Sequence, residues 1–101
     1  MIQKYKISEK AISDLEKIWL YTFRKWSKEQ ADRYHNLIID EIEFIANNYN
    51  LCRKIDYIRK GYRMTKVKSR LIFAKKSGDE IVEIMRILHQ NMDINNRLKE
   101  K

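Results

Sequence analysis

The side chains of this chain that are able to do chemistry are few, and several gather near its C-terminal end. The stretch RILHQNMDINNRL, Arg86 to Leu98, sets an arginine inside a run of Ile, Met and Leu, a histidine three residues later and an aspartate four residues after that. A charge inside an apolar strand costs free energy unless it is paired. Arg86 is therefore expected to meet a carboxylate, with Asp93, just past the following turn, as the expected partner; a functional contact is the alternative. Together with Arg63 and Arg70 upstream, Arg86 and His89 come from three β-prone runs that neighbouring strands would bring partly onto a common face. Such a cluster would clamp a phosphate, assist RNA cleavage by the adjacent 2′-hydroxyl with His89 as general acid, or dock on a protein. At the level of residues these readings stay open.

Other chemistries find little material. His35 and His89 are far apart in sequence, Cys52 is alone, and neither C-x-x-C nor H-E-x-x-H occurs, so no metal or other cofactor is expected. Two isolated glycines cannot build a phosphate loop. A Cys52–His89 nucleophilic pair is formally available, but a single cysteine at a helix-to-strand junction reads as packing. It cannot form an internal disulfide either, which points to a reducing compartment. MIQKYKISEK lacks the apolar core of a signal peptide, and no stretch approaches the ~18 uncharged residues of a membrane span. A cytoplasmic, soluble protein is expected.

The net charge of +8 is concentrated. Arg53 to Lys76 holds ten Lys or Arg against one acid, Asp56, a surplus of nine, whereas the rest of the chain carries a net charge of −1. That segregation is the footprint of a surface meeting an anionic partner, nucleic acid or an acidic protein, and is more than a solvated sheet face requires.

The elements that must position these residues can be read from periodicity. A hydrophobic fraction of 44%, no proline and two glycines favour one ordered domain, residues 1–101, built of long elements and short turns. Ile2 to Ile7 reads as a strand ending at Ser8, a helix N-cap. Ala11, Ile12, Leu15, Ile18, Trp19, Phe23 and Trp26 recur at helical spacing. Ser27 with Gln30 forms a capping box, so a second helix should start at Lys28, with a stripe of Ala31, Tyr34, Ile38, Ile42, Ile45 and Tyr49. The pair should form an antiparallel hairpin. Short β-prone runs follow at Ile55 to Arg59, Tyr62 to Lys68, Arg70 to Lys76 and Glu80 to His89, separated by Gly61, Ser69 and Ser77-Gly78-Asp79, and should form an antiparallel meander. The last run is apolar on both faces and should be central. Asp93 should cap a short helix, Ile94 to Glu100. The fold class is α+β: a strand, a helical hairpin packed on a mainly antiparallel sheet (βααβββ(β)), and a short C-terminal helix.

In that order, ISEKAISDLEKIWLYTFRKWSKEQADRY, IRKGYRM, SRLIFAKK and RILHQNMD resemble the ParE branch of the RelE/ParE toxins of bacterial type II toxin–antitoxin systems, over nearly the whole chain. The resemblance implies a growth-arresting toxin held inactive by a ParD-like antitoxin and reaching operator DNA only through it. It implies DNA gyrase as the target, poisoned by stabilising its cleaved DNA complex without chemistry of the toxin's own. Arg59, Arg63, Arg70 and His89 would then be target-binding residues. The sister RelE branch cleaves mRNA on the ribosome, and under that alternative Arg70 and His89 would be catalytic. His89 belongs to the R-I-L-H-x-x-M-D pattern typical of ParE members, whereas Ser69-Arg70 stands where they commonly carry Ser-His. An inactive toxin-like module that only binds antitoxin or DNA is a third reading.

Overall fold

The computed structural model describes residues 4–78 and 80–99. The expected positions Ile2 and Gln3 of the first strand, Asp79 of the turn and Glu100 of the last helix lie outside the described residues. β1 (Tyr5–Ile7) leads into α1 (Glu9–Lys25) and α2 (Lys28–Asn47). A 3-10 turn (Tyr49–Leu51) follows, then β2 (Arg53–Lys54), β3 (Tyr62–Val67), β4 (Arg70–Lys76), β5 (Val82–His89) and α3 (Ile94–Lys99). One sheet results, in the order β1-β5-β4-β3-β2, with β1 parallel to β5 and the other pairs antiparallel. The α+β class and the central place of β5 are as the residues imply.

The helix boundaries follow from local chemistry. Ser8 is extended, accepts the Ala11 N–H at 3.0 Å and donates its hydroxyl to Met85 O at 2.9 Å, so one residue starts α1 and ties it to the sheet. Glu9 in the first turn and Arg24 and Lys25 in the last suit the helix dipole. Ser27 Oγ accepts the Gln30 N–H at 3.1 Å and opens α2 after only Trp26 and Ser27. The short link forces the two helices antiparallel.

Both faces of the sheet are covered. Ile72, Ala74, Val82, Ile84 and Ile87 pack beneath the hairpin against Ala11, Leu15, Ile18, Ile38, Ile42 and Ile45. On the other face Phe73 and Leu88 meet Ile55, Tyr62 and Leu98, which brings α3 onto the sheet. At a bulge Phe73 pairs with Arg86 and Ala74 with Ile84, leaving Met85 as the extra residue.

Ile55 to Arg59 is not a strand. The chain turns there, with Ile58 N and Arg59 N both donating to Ile55 O at 2.8 and 2.9 Å. Ile55 is fully buried as an anchor, Asp56 Oδ1 accepts the Gly61 N–H at 2.7 Å, and Gly61 takes φ +83, so local hydrogen bonds outcompete a ladder. The strand of this region is the two-residue β2 just before it.

Candidate functional site

Register decides what meets at the end of the sheet. Ile72 pairs with Ile87 under the hairpin, and two residues further along each strand Arg70 pairs with His89, hence on the same face. Lys68, at φ 55, makes the tight turn between β3 and β4, and Gln90 N extends the ladder to Ser69 O at 2.8 Å. At this end Arg70 and His89 open into a cavity of about 570 Å³ walled by Lys17, Ile18 and Tyr21 of α1, by Trp26 and by Tyr34 of α2. A second cavity of about 380 Å³, bordered by Arg33, Leu37 and Lys68, shares Thr22, Trp26 and Tyr34 with it. The two form one groove beneath the hairpin tip, where Trp26 is 69% exposed.

The groove is cationic in net effect. Lys17, Arg33, Lys68 and Arg70 line it, and the one acid among its described lining residues, Asp14, is already matched. Asp14 Oδ2 accepts from Arg86 Nε at 2.8 Å and from the Ile87 backbone N–H at 3.0 Å, while Oδ1 accepts from Arg86 Nη2 at 3.1 Å. His89 Nδ1 accepts the Asn91 N–H at 3.1 Å, which leaves the proton of the neutral ring on Nε2. Arg70 Nε and Tyr34 Oη are both buried, and among the described residues neither finds a hydrogen-bond partner.

The carboxylate that Arg86 meets is thus Asp14, not Asp93. Asp93 instead caps α3, accepting from Asn96 N at 3.4 Å and Asn96 Nδ2 at 2.7 Å. The physical reason lies on the β1 side of β5: β1 ends opposite Ile84, so beyond the bulge β5 is paired only with β4 among the described residues and its other side is open. α1 crosses there and supplies a carboxylate where a sixth strand would have supplied carbonyls. An acid among Ala11, Leu15 and Ile18 on the buried face of α1 is the sequence signal that identifies Asp14.

Of the three arginines and one histidine expected to contact a target, Arg70 and His89 come together, and Arg59 and Arg63 lie elsewhere. Arg59 packs over the Tyr62 ring at 5.3 Å and donates Nη1 to Leu98 O at 2.6 Å, on the α3 side of the sheet. Arg63 lies four residues along β3 from Val67, the partner of Arg70, about 13 Å at strand rise. Its Nη1 holds Asn50 O and Cys52 O, both at 3.1 Å, and its guanidinium stands 5.1 Å from the Tyr49 ring centre. Burial pushes the Cys52 thiol up from its ordinary pKa, against the pull of Arg63, so it is disfavoured as a thiolate. No group of three His, Cys, Asp or Glu among the described residues is arranged to hold a metal.

A family profile described as the ParE toxin of the type II toxin–antitoxin system parDE matches residues 5–94. The chain belongs to the ParE toxin family. It is 34% identical over 98 residues to Toxin ParE1 of Mycobacterium tuberculosis (strain H37Rv), covering 97% of this chain and 100% of the relative. With Toxin ParE1 of Caulobacter vibrioides it shares 34% over 92 residues, 91% of this chain and 94% of the relative. A chain of the chromosomal ParDE TA system from P. aeruginosa has the same fold, with a TM-score of 0.76 at 18% identity, covering 87% of this chain and 96% of that one. As a ParE toxin the protein belongs to a type II system and has an antitoxin as partner. The apolar side chains that its helices leave exposed, Ile12, Leu20, Phe23, Leu37 and Phe44, are a surface of the kind a protein partner covers. Periodicity places Trp26 and Tyr34 on apolar stripes, and no local signal marks them or Lys17 as groove residues, because the groove exists only once hairpin and sheet meet.

Proposed function

We propose that this ParE toxin acts in the cytoplasm, is neutralised by a ParD-like antitoxin through which alone it reaches operator DNA, and arrests growth by docking on DNA gyrase and holding its cleaved DNA complex. In this reading it performs no covalent chemistry. The observation that carries the non-enzymatic part is the state of His89: Nδ1 is engaged by the Asn91 N–H, and no carboxylate among the described residues orients the ring. Acting as an imidazolium acid would sacrifice that bond, whereas donating from Nε2 to a docked partner keeps it. No helix among the described residues is long and apolar enough to cross a membrane.

One observation favours RelE-like cleavage of ribosome-bound mRNA as a second reading: Arg70 and His89 stand opposite one another on adjacent strands and open into the same groove. A single preparation separates the two. Purified toxin is added to a gyrase supercoiling assay and to a ribosome-programmed mRNA. The expected result is loss of supercoiling with accumulation of cleaved DNA, and intact transcript. Cut transcript with normal supercoiling would reverse the assignment, and Arg70→Ala with His89→Ala would then abolish the cutting.

A further inference from the structure

We propose that the groove beneath the hairpin tip is the seat of an acidic side chain, an Asp or Glu with an apolar neighbour, carried by the antitoxin and held by Arg70, Tyr34 and His89. The inference rests on the antitoxin partnership and adds where the antitoxin is anchored and by what chemistry. Three features lead to it. Buried donors in native proteins are almost always paired, yet Arg70 Nε and Tyr34 Oη, both in side chains lining the same cavity, have no acceptor among the described residues. A carboxylate entering beside Arg70 lets both side chains settle onto one anion, with the His89 Nε2 proton available as a further donor. The charge balance agrees: Lys17, Arg33, Lys68 and Arg70 face inward or stand at the rim, and Asp14 is neutralised by Arg86 and cannot repel the newcomer.

The walls select the kind of molecule. At about 570 and 380 Å³ the linked cavities fall within the ~300–1,000 Å³ range of ligand pockets, with room for more than a single anion. Ile18, Ile87, Met92 and the exposed Trp26 and Leu37 provide apolar surface next to the cations. A nucleic acid strand would seek an open cationic track for its phosphates. Here the unpaired donors lie deep in a cleft between helix and sheet, which suits a slim side-chain carboxylate. The apolar wall includes the exposed Leu37 of α2, so a peptide leaving the groove finds further purchase there.

The test uses the full-length toxin and the antitoxin of its own module, with affinity measured by calorimetric titration. Arg70→Gln should weaken the complex about tenfold or more, and Tyr34→Phe about three- to tenfold, with the melting temperature of each toxin variant unchanged. Lys54→Ala, which removes an exposed charge on β2 away from the groove, should change affinity less than about twofold, as expected of a surface position. One Asp or Glu of the antitoxin, found by amide substitution, should show strong coupling with Arg70 in a double-mutant cycle. If Arg70→Gln fails to fold, Lys17→Glu and Lys68→Glu at the exposed rim take its place and should weaken binding in the same direction. A complex indifferent to Arg70, Tyr34 and the rim lysines overturns the groove inference while leaving the antitoxin partnership standing. Equal losses at Lys54 and Arg70 overturn it too, in favour of diffuse charge attraction. Absence of any complex overturns the partnership itself. Arg70-dependent binding of a twelve-nucleotide single-stranded DNA, with antitoxin binding unaffected, makes the groove a nucleic-acid site instead.

Discussion

Removing the Asp14 carboxylate should unfold this toxin more readily than any other single loss of charge near the groove. Asp14 is 8% exposed, and the side chains of the Arg86–Asp14 pair are 12% and 9% exposed, so solvent screens the pair little. Asp14→Ala removes the carboxylate that holds Arg86 Nε and Nη2 and strands the Ile87 N–H. Breaking a buried pair by removing one partner costs about 3–5 kcal/mol. An unsatisfied buried amide costs about 1–3 kcal/mol, part of which overlaps because water can enter at the open edge of β5. We expect a loss of about 4 kcal/mol in urea unfolding followed by circular dichroism, or a melting temperature lower by roughly 15–30 °C for a domain of this size. Asp14→Asn retains an acceptor for Ile87 and should fall between parent and Asp14→Ala. Asp93→Ala removes only a helix cap and should cost about 1 kcal/mol or less. The reasoning fails if Asp14→Ala unfolds within about 1 kcal/mol of the parent. It fails equally if Asp93→Ala proves as damaging, for then Arg86 would depend on Asp93 after all.

Two further outcomes follow from the described side chains. Cys52 is 5% exposed and its thiol is pushed up by burial, so at neutral pH it should react with a disulfide reagent far more slowly in the native protein than in urea; native and unfolded rates that coincide would contradict its placement. Asp32 is held below the ordinary carboxylate pKa, first by the Trp19 Nε1–H at 2.9 Å and then by Lys28 at 3.0 Å. A depressed folded-state pKa means that its link between α1 and α2 is present above the ordinary Asp value and is lost as pH falls through the folded value. In a Trp26→Phe background, Trp19 fluorescence should therefore change on the acid side with a midpoint below that of a free aspartate, and Asp32→Asn should abolish the change. A midpoint at or above the free value would count against the bond.

Much of the architecture is local and was readable as such. Ser8 and Ser27 are hydroxyl caps whose partners, Ala11 N and Gln30 N, lie three residues away, so the two helix starts follow from the sequence alone. The strands β3, β4 and β5 announce themselves by β-branched runs between turns, and the two apolar faces of β5 foretell a central strand. The type II toxin family is likewise written in the order of short motifs. What the sequence could not decide depends on residues distant along the chain. Arg86 chose Asp14, 72 residues away, over the nearby Asp93, because β1 is too short to cover the whole of β5 and α1 brings an acid to the gap. The stretch after Ile55 reads as a strand by composition, yet one side-chain oxygen on Gly61 N and one buried isoleucine turn it aside. Arg59, Arg63, Arg70 and His89 look equivalent as charges, but the antiparallel register and the α3 contact divide them. Only Arg70 and His89 reach the groove, since a pocket is a relation between elements and no single segment encodes it.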